Sequence, residues 1–416
     1  MSLLLELNKL NNTQIQKIDK ELNLTIVAPQ SSGIPQSITL QPYRVHENLL
    51  FIPFAYGVQN GYVPMYHQKL TQAFEFKGAL RPEQKIVRNE VAEILNRTGS
   101  VILSTHVGFG KSILATYFAY KIQTKTLIIV NRLVLIKQWT EVLNQFIQSP
   151  KIHVLKPNGI IDWECDFFIV NAINIPKIGY MPEIGLVIVD EVHLIVSKVI
   201  SSCFQYLTPS YLIGLSATPY RMDGLDVLLD LHFGKERVDR QLKRAHIVHR
   251  VETRFTPKVS KQRNGKTDWN DILNQQATDE NRNNLIVEII VSNPNLNFMV
   301  LCKRIDQIKI LQKKLEEKDI PAEYIYGDRQ PDTQKRNRIL IGTTQKLGTG
   351  FDAPWLNALL VASDLEAYFI QYLGRVFRKI EIVPTIFDLV DDNSILRKHY
   401  KTREQTYVKH GGQIRK

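Results

Sequence analysis

The sequence predicts an α/β protein: two parallel-sheet domains in tandem, with a small accessory domain ahead of them. Short apolar runs of strand length recur along the chain, several of them apolar on both faces, as strands inside a parallel sheet are. Stretches of helical length separate some of these runs, the alternation expected of βαβ units. The chain has 416 residues, room for two or three domains at roughly 100–200 residues each.

Residues 1–75 carry five basic and five acidic side chains and are punctuated by Pro29, Gly33, Pro35, Pro42, Pro53, Gly57, Gly61 and Pro64. A helix near 11–22 followed by short strands and turns is expected there, as an accessory domain. Residues 76–234 hold the first α/β series, with strands expected at Val101–Ser104, Leu127–Val130, Phe167–Val170, Leu186–Val189 and Leu212–Leu215. Helices are expected at 111–122 and 132–147. Residues 235–266 contain eleven Lys or Arg against three acids and are expected to form a basic linker, either solvated or phosphate-tracking. The second series, 267–416, has strands expected at Phe298–Leu301, Ile339–Gly342, Ala358–Val361 and Thr385–Asp388, then a basic tail over 393–416. No internal repeat or low-complexity tract interrupts either series.

Lys and Arg total 53 against 41 Asp and Glu, a net charge of +12. That excess favours a polyanionic partner. Cys165, Cys203 and Cys302 are odd in number and far apart, which argues against a disulfide framework or zinc site and fits a reducing compartment. The apolar run Leu49–Val58 falls far short of the roughly 18–20 residues of a membrane span. The N-terminus, broken by Glu6 and Lys9, does not read as a signal peptide. An intracellular protein with no membrane contact is expected.

The central chemical signal is Thr105, His106, Val107, Gly108, Phe109, Gly110, Lys111 and Ser112. It follows one predicted strand and opens a predicted helix. Gly108 and Gly110 let backbone N–H groups turn inward around a phosphate, and the helix N-terminus adds its positive end. Lys111 suits the β- and γ-phosphates of ATP, and Ser112 suits Mg²⁺. Thr105 stands where the general G-x-x-x-x-G-K-S pattern has its first glycine.

About 80 residues later, Ile188-Val189-Asp190-Glu191-Val192-His193 ends an apolar strand with adjacent carboxylates. Asp190 at that strand end can hold the Mg²⁺ shell, and Glu191 can orient and deprotonate an attacking water.

With Ser216-Ala-Thr218-Pro219, these residues resemble superfamily 2 helicases, and the order of motifs matches from about Leu80 to Arg378. Leu80-Arg-Pro-Glu-Gln84 resembles the Q-motif region, implying that Gln84 meets the adenine edge. Asn131-Arg132-Leu133 with Gln138-Trp139 resembles motif Ia. Ser216 and Thr218 lie in a stretch resembling motif III, which couples hydrolysis to strand movement, with His193 as a further coupling residue. Phe298–Leu301 with Lys303 and Arg304 resembles motif IV, Thr344 through Asp352-Ala-Pro354 motif V, and Gln371 through Arg375 and Arg378 motif VI. The stretch Gly214–Asp226 looks like the XPB and UvsW branch of DExH-type translocases. Gly348-Thr-Gly-Phe-Asp352 and the neutral leader resemble the poxvirus transcript-release helicase and its relatives in large DNA viruses.

The resemblance implies two tandem RecA-like domains with a cleft between them, where ATP and Mg²⁺ bind and hydrolysis drives lobe motion. Lys111, Glu191, Gln371, Arg375 and Arg378 are then the expected catalytic residues. The P-loop, Gln84 and Asp352 bind nucleotide, and Ser112 and Asp190 bind the metal. Arg375 and Arg378, three apart, share a helix face and suit the arginine-finger role. Arg132, Lys303 and Thr344 are the expected contacts to nucleic acid, gripped mostly by its backbone. The four tryptophans are expected mainly to pack. The expected activity is ATP-driven movement along, or unwinding of, DNA or a DNA–RNA hybrid, in viral transcription. An RNA helicase, the motor of a restriction-type complex and a nucleotide-dependent binding module are the alternatives.

Overall fold

The computed structural model describes the chain except residues 29–35, 107, 196–205, 217–225, 242, 263–264, 328, 330–335, 349–352, 366–368, 378–380 and 416. Two compact units emerge, one holding residues 1–105 and 109–240, the other 106–108 and 241–416. Val107, Thr218, Asp352 and Arg378 lie outside the described residues.

The first unit opens with β1 (Ser2–Glu6), α1 (Asn12–Leu22), β2 (Leu24–Ala28), β3 (Gln36–Leu40), β4 (Arg44–His46), β5 (Leu49–Pro53) and α2 (Phe54–Gln59). The start of α1 is fixed by a capping box, in which Asn11 and Gln14 each bond the other's backbone N–H. β1, β5 and β4 form an antiparallel sheet in that order, and β2 pairs with β3. Met1, Leu40 and Phe54 are buried in the same cluster as Ile102, Leu229 and Phe233. The first residues of the chain are therefore built into the first unit's core.

The unit continues through α3 (Pro82–Thr98), β6 (Ser100–Thr105), α4 (Lys111–Ile122), β7 (Thr126–Val130), α5 (Leu133–Phe146), β8 (Ile152–Val154), β9 (Phe167–Asn171), α6 (Ile175–Ile178), β10 (Leu186–Val189), α7 (Val192–Ile195), β11 (Tyr211–Ser216), α8 (Asp226–Phe233) and β12 (Arg237–Arg240). Seven of these strands make one parallel sheet in the order β12-β6-β11-β10-β7-β9-β8. β7, β9 and β10 are buried at every residue, as their two-faced apolar runs require. A parallel sheet collects the C-terminal ends of its strands along one edge, where α/β folds place ligands. β6, β7, β10 and β11 deliver Thr105, Arg132, Asp190 and Ser216 to or just beyond that edge.

The second unit contains β13 (His246–Glu252), α9 (Trp269–Thr278), α10 (Glu280–Ser292), β14 (Phe298–Cys302), α11 (Ile305–Glu316), β15 (Glu323–Ile325), β16 (Ile339–Thr343), α12 (Thr344–Leu347), β17 (Ala358–Val361), α13 (Ile370–Val376), β18 (Thr385–Val390), α14 (Ser394–Lys409) and β19 (Gly412–Arg415). Its seven-stranded sheet is also parallel, in the order β15-β16-β14-β17-β18-β13-β19. The fold is thus two tandem RecA-like parallel-sheet units.

Two basic stretches differ from their expected form. Residues 235–266 supply β12 to the first sheet and β13 to the interior of the second. Arg244 donates to the carbonyls of Phe377 and Ile382, the latter at 2.6 Å, so its charge is spent on backbone acceptors within the second unit. Residues 393–416 form α14 and the edge strand β19, in place of a tail. α14 is held by a buried polar cluster. Arg403 donates two parallel bonds to Asp388, both at 2.8 Å, and one to Asp364 at 3.1 Å. The Tyr407 hydroxyl donates to Asp388 at 2.8 Å, and His399 lies 2.6 Å from Asp364. A planar fork on a carboxylate is the strongest form of such a pair, and removing one partner strands a buried charge. Arg403→Met is therefore expected to destabilise the second unit by about 3–5 kcal/mol, read as a lower urea midpoint.

Candidate active site on the first sheet

The P-loop is a local consequence of β6 giving way to α4. Thr105 is still a strand residue, paired with Arg240 of β12 and 1% exposed. The glycine of the general pattern is not needed at a position that keeps extended backbone. Gly110 caps α4 at φ +90°, a conformation that strains any residue with a Cβ. It is also a close approach, since a Cβ there would lie 2.4 Å from Gln84 Nε2. His106 is half-buried and Gly108 exposed in the turn, while Phe109 is buried in the core.

Gln84 is 2% exposed. Its amide donates to the Phe109 carbonyl at 2.8 Å and its carbonyl accepts from Arg81 N at 2.9 Å. The Arg81 guanidinium donates to the same Phe109 carbonyl. Gln84 thus ties the start of α3 to the P-loop backbone.

Lys111 opens α4, and its ammonium donates to the Thr105 carbonyl at 2.8 Å. Burial lowers its pKa, while Glu191 and Asp190 act to raise it. Ser112 follows, half-buried, in the first helical turn.

Asp190, 9% exposed, stands just beyond β10. Its Oδ1 accepts the Glu191 N–H at 3.0 Å, and its Oδ2 accepts the Trp139 indole N–H at 2.9 Å. Burial and then the Glu191 charge push its pKa up to about 6, against the Trp139 N–H and Lys111, which favour the carboxylate. Glu191 has φ +47°, a left-handed conformation uncommon outside glycine and a local strain of the kind found at functional sites. Its carboxylate lies 3.5 Å from His193 Nδ1. That nitrogen also lies 2.8 Å from Ser216 Oγ, both residues being fully buried. Of the three expected coupling residues, His193 and Ser216 meet directly within one unit, and Thr218 lies outside the described residues.

The tryptophans pack, as expected: Trp163 against Phe168, Trp269 stacked on His399, Trp355 against the second unit's core and Trp139, 1% exposed, in the first unit's core. Trp139 in addition carries its polar handle to a predicted metal ligand. The signal was its place on the buried face of α5, with Leu135 and Leu143, since a buried indole N–H needs an acceptor. Because that N–H stabilises the charged carboxylate, its loss favours the protonated form. Trp139→Phe is expected to move the acid limb of the kcat/KM profile upward by about one pH unit and to raise the Mg²⁺ requirement.

Among the described residues, no group of three or more His, Cys, Asp or Glu is placed to hold a metal ion. Mg²⁺ held by one or two protein oxygens, with phosphate and water completing its shell, needs no such cage. Each Asp190 oxygen keeps a lone pair beyond its N–H partner, so the donor set fits.

In the second unit, the stretch expected as motif VI bonds to the stretch expected as motif V. Arg375 of α13 donates to the Gly348 carbonyl at 2.8 Å, and the Tyr372 hydroxyl to the Thr344 carbonyl at 2.8 Å. A Cβ on Gly348 would lie 2.8 Å from the Thr344 carbonyl oxygen and 3.1 Å from the Tyr372 hydroxyl, so a side chain there would disturb this bond. Gln371 and Arg375 are buried at 9% and 8% exposure. Of the expected nucleic-acid contacts, Lys303 is exposed just beyond β14, Arg132 caps α5 half-buried, and Thr344 is buried at the start of α12.

The family described as "Type III restriction enzyme, res subunit" matches residues 77–221. Among solved structures, S. cerevisiae Dbp5 bound to RNA and ADP BeF3 matches 81% of this chain and 94% of its own at TM-score 0.58 and 12% identity. The Pyrococcus furiosus Hef helicase domain matches 78% and 98% at TM-score 0.51 and 12% identity. "Putative helicase 161L" of Invertebrate iridescent virus 6 is 40% identical over the whole chain and 99% of its own length. "Putative helicase 055L" of Frog virus 3 is 31% identical over 88% of this chain and 86% of its own. The fold and the relatives together define an ATP-dependent helicase, an enzyme that couples ATP hydrolysis to work on nucleic acid. The chain belongs to the family of large-DNA-virus helicases that includes 161L and 055L.

Proposed function

We propose that the first unit binds MgATP at the C-terminal edge of its sheet and that hydrolysis there drives translocation on DNA or a DNA–RNA hybrid during viral transcription. The observation that carries this reading is the convergence of Lys111, Asp190, Glu191 and the His193–Ser216 pair at one sheet edge. Lys111 neutralises the β- and γ-phosphates, and the P-loop N–H groups bind their oxygens. Ser112 and Asp190 would hold Mg²⁺, which supplies positive charge to the phosphoryl oxygens when bound. Glu191 accepts the proton of the attacking water. His193, touching both Glu191 and Ser216, relays the state of the phosphates to motif III. Gln371, Arg375 and Arg378 are assigned by motif order to the γ-phosphoryl group, and Arg132, Lys303 and Thr344 to nucleic-acid phosphates.

An RNA substrate is the second reading. It is favoured by a 24% identical mimivirus relative named "Putative ATP-dependent RNA helicase L396" and by the RNA in the Dbp5 complex. The net charge of +12 suits either polymer. Among the described residues, no helix is long and apolar enough to cross a membrane. The viral relatives support work in the infected-cell cytoplasm or virion. The deciding experiment measures ATPase stimulation in parallel by single-stranded DNA, duplex DNA, RNA and RNA–DNA hybrid. Stimulation by DNA or hybrid supports the first reading, and stimulation by RNA alone replaces it with the second.

A further inference from the structure

The opposite edge of the first sheet carries a cavity of about 690 Å³. It lies where β6, β7 and β11 begin, since Gly99, Thr124 and Tyr211 line it. Lys111, Asp190, Glu191 and Ser216 lie at the C-terminal ends of strands of this same sheet, the opposite edge. The floor is apolar, with Leu95 and Phe118 both buried. Its volume is within the range of small-molecule sites, roughly 300–1,000 Å³.

One wall is the extended segment 63–69. It is fastened by His67, whose ring nitrogens lie 2.8 Å from Ser210 Oγ and 2.9 Å from the Pro182 carbonyl. Ser210 Oγ in turn donates to the Met65 carbonyl at 2.6 Å. The cavity is therefore preformed. Tyr66 on this segment lines the cavity and is nonetheless 82% exposed.

The charge of the lining is one-sided. It includes Lys69, Arg88, Arg97 and Lys121 and no acidic residue. Arg97 is answered by Glu236. Lys69, Arg88 and Lys121 have no carboxylate at ion-pair distance among the described residues; Arg88 donates to the neutral Asn89 Oδ1 at 2.7 Å, and Lys121 lies over the Tyr120 and Tyr117 rings at 4.9 and 5.6 Å. Three such cations around an apolar, tyrosine-walled space call for a ligand that is aromatic and anionic at once.

We propose that this cavity binds a single nucleotide unit, its base against Tyr66, Tyr117 and the apolar floor, and its phosphate among Lys69, Arg88 and Lys121. Stacking on tyrosine tolerates any base, and the cations fix the phosphate. The unit has two possible sources, a free mononucleotide or the phosphorylated end of a strand.

The test fills the ATP site with a non-hydrolysable ATP analogue and Mg²⁺. The protein is then titrated with thymidine 5′-monophosphate, 5′-phosphorylated trithymidylate and the 5′-hydroxyl trimer. Binding of both phosphorylated probes identifies a free-nucleotide site, and binding of the phosphorylated trimer alone identifies a strand-end site. Arg88→Glu with Lys121→Glu should weaken either interaction at least roughly tenfold, and Tyr66→Ala several-fold. All three changes are at solvent-accessible positions, so folding is preserved, as a thermal melt would verify. Three results would overturn the proposal: no binding of either phosphorylated probe, binding indifferent to the charge reversal, or displacement by polyglutamate better than by nucleotide.

Discussion

Glu191→Gln is expected to hold ATP at close to wild-type affinity and to hydrolyse it about 10²–10⁴ times more slowly, the range of a lost general base. The amide keeps the length and shape of the carboxylate and so its place 3.5 Å from His193 Nδ1. It also keeps the backbone N–H that Asp190 Oδ1 accepts at 3.0 Å. What it cannot do is take a proton from water. Removing one of two adjacent carboxylates also relieves the repulsion that raises the Asp190 pKa, so metal binding is not weakened. A ground-state contact would raise KM and spare kcat, whereas a base acts in the transition state and its loss falls on kcat. Filter binding of labelled ATP with single-turnover phosphate release separates the two. Hydrolysis at the normal rate would remove the base role from Glu191 and leave its left-handed backbone unexplained by catalysis.

How much was legible in sequence depended on how each segment is buried. Leu186–Val189 was read to the residue because a strand buried on both faces has no polar position to blur its ends. β12 and β13 were missed because Arg237-Val-Asp-Arg240 and His246–Glu252 carry charge on alternate or half-buried positions. A count of basic residues reads these as linker, while an edge strand and a partly exposed strand need only alternate apolar contacts. α14 was concealed differently. Its buried face is Leu396, Tyr400, Arg403 and Tyr407, at helical spacing, yet three of the four are polar or aromatic. Only the carboxylates of Asp364 and Asp388, distant in sequence, turn that stripe into a core face.

The site was legible by chemistry and illegible by support. Lys111, Ser112, Asp190 and Glu191 have fixed spacing from strand ends, which a sequence displays. The Trp139 indole and the Arg81 guanidinium act through contacts spanning 51 and 28 residues, with no local pattern to announce them.

Lys111→Ala is expected to abolish turnover and to weaken ATP binding by roughly 10–100-fold, the worth of one charge-assisted contact to phosphate. The ammonium is poised by two opposing influences. Burial destabilises its charge, and Asp190 and Glu191 restore it, while the Thr105 carbonyl at 2.8 Å holds it at the mouth of the loop. A phosphate arriving there meets a cation with little water to shed, which is why this charge is worth more than an exposed lysine. Its removal also acts on the neighbouring acids. Lys111 is one of the influences lowering the Asp190 pKa, so without it Asp190 protonates at higher pH and holds the metal less well. The variant should therefore lose activity twice over, through the phosphate contact and through the carboxylate. Lys111→Arg keeps the charge but puts a wide planar fork where a compact ammonium donates to the Thr105 carbonyl at 2.8 Å. It should regain part of the ATP affinity and little of the turnover. Calorimetric titration with the non-hydrolysable analogue, alongside steady-state ATPase, checks both variants. Near-normal turnover in Lys111→Ala would mean that Thr105–Ser112 is a surface turn of coincidental sequence. The ATP site would then have to be sought away from the C-terminal edge of the first sheet.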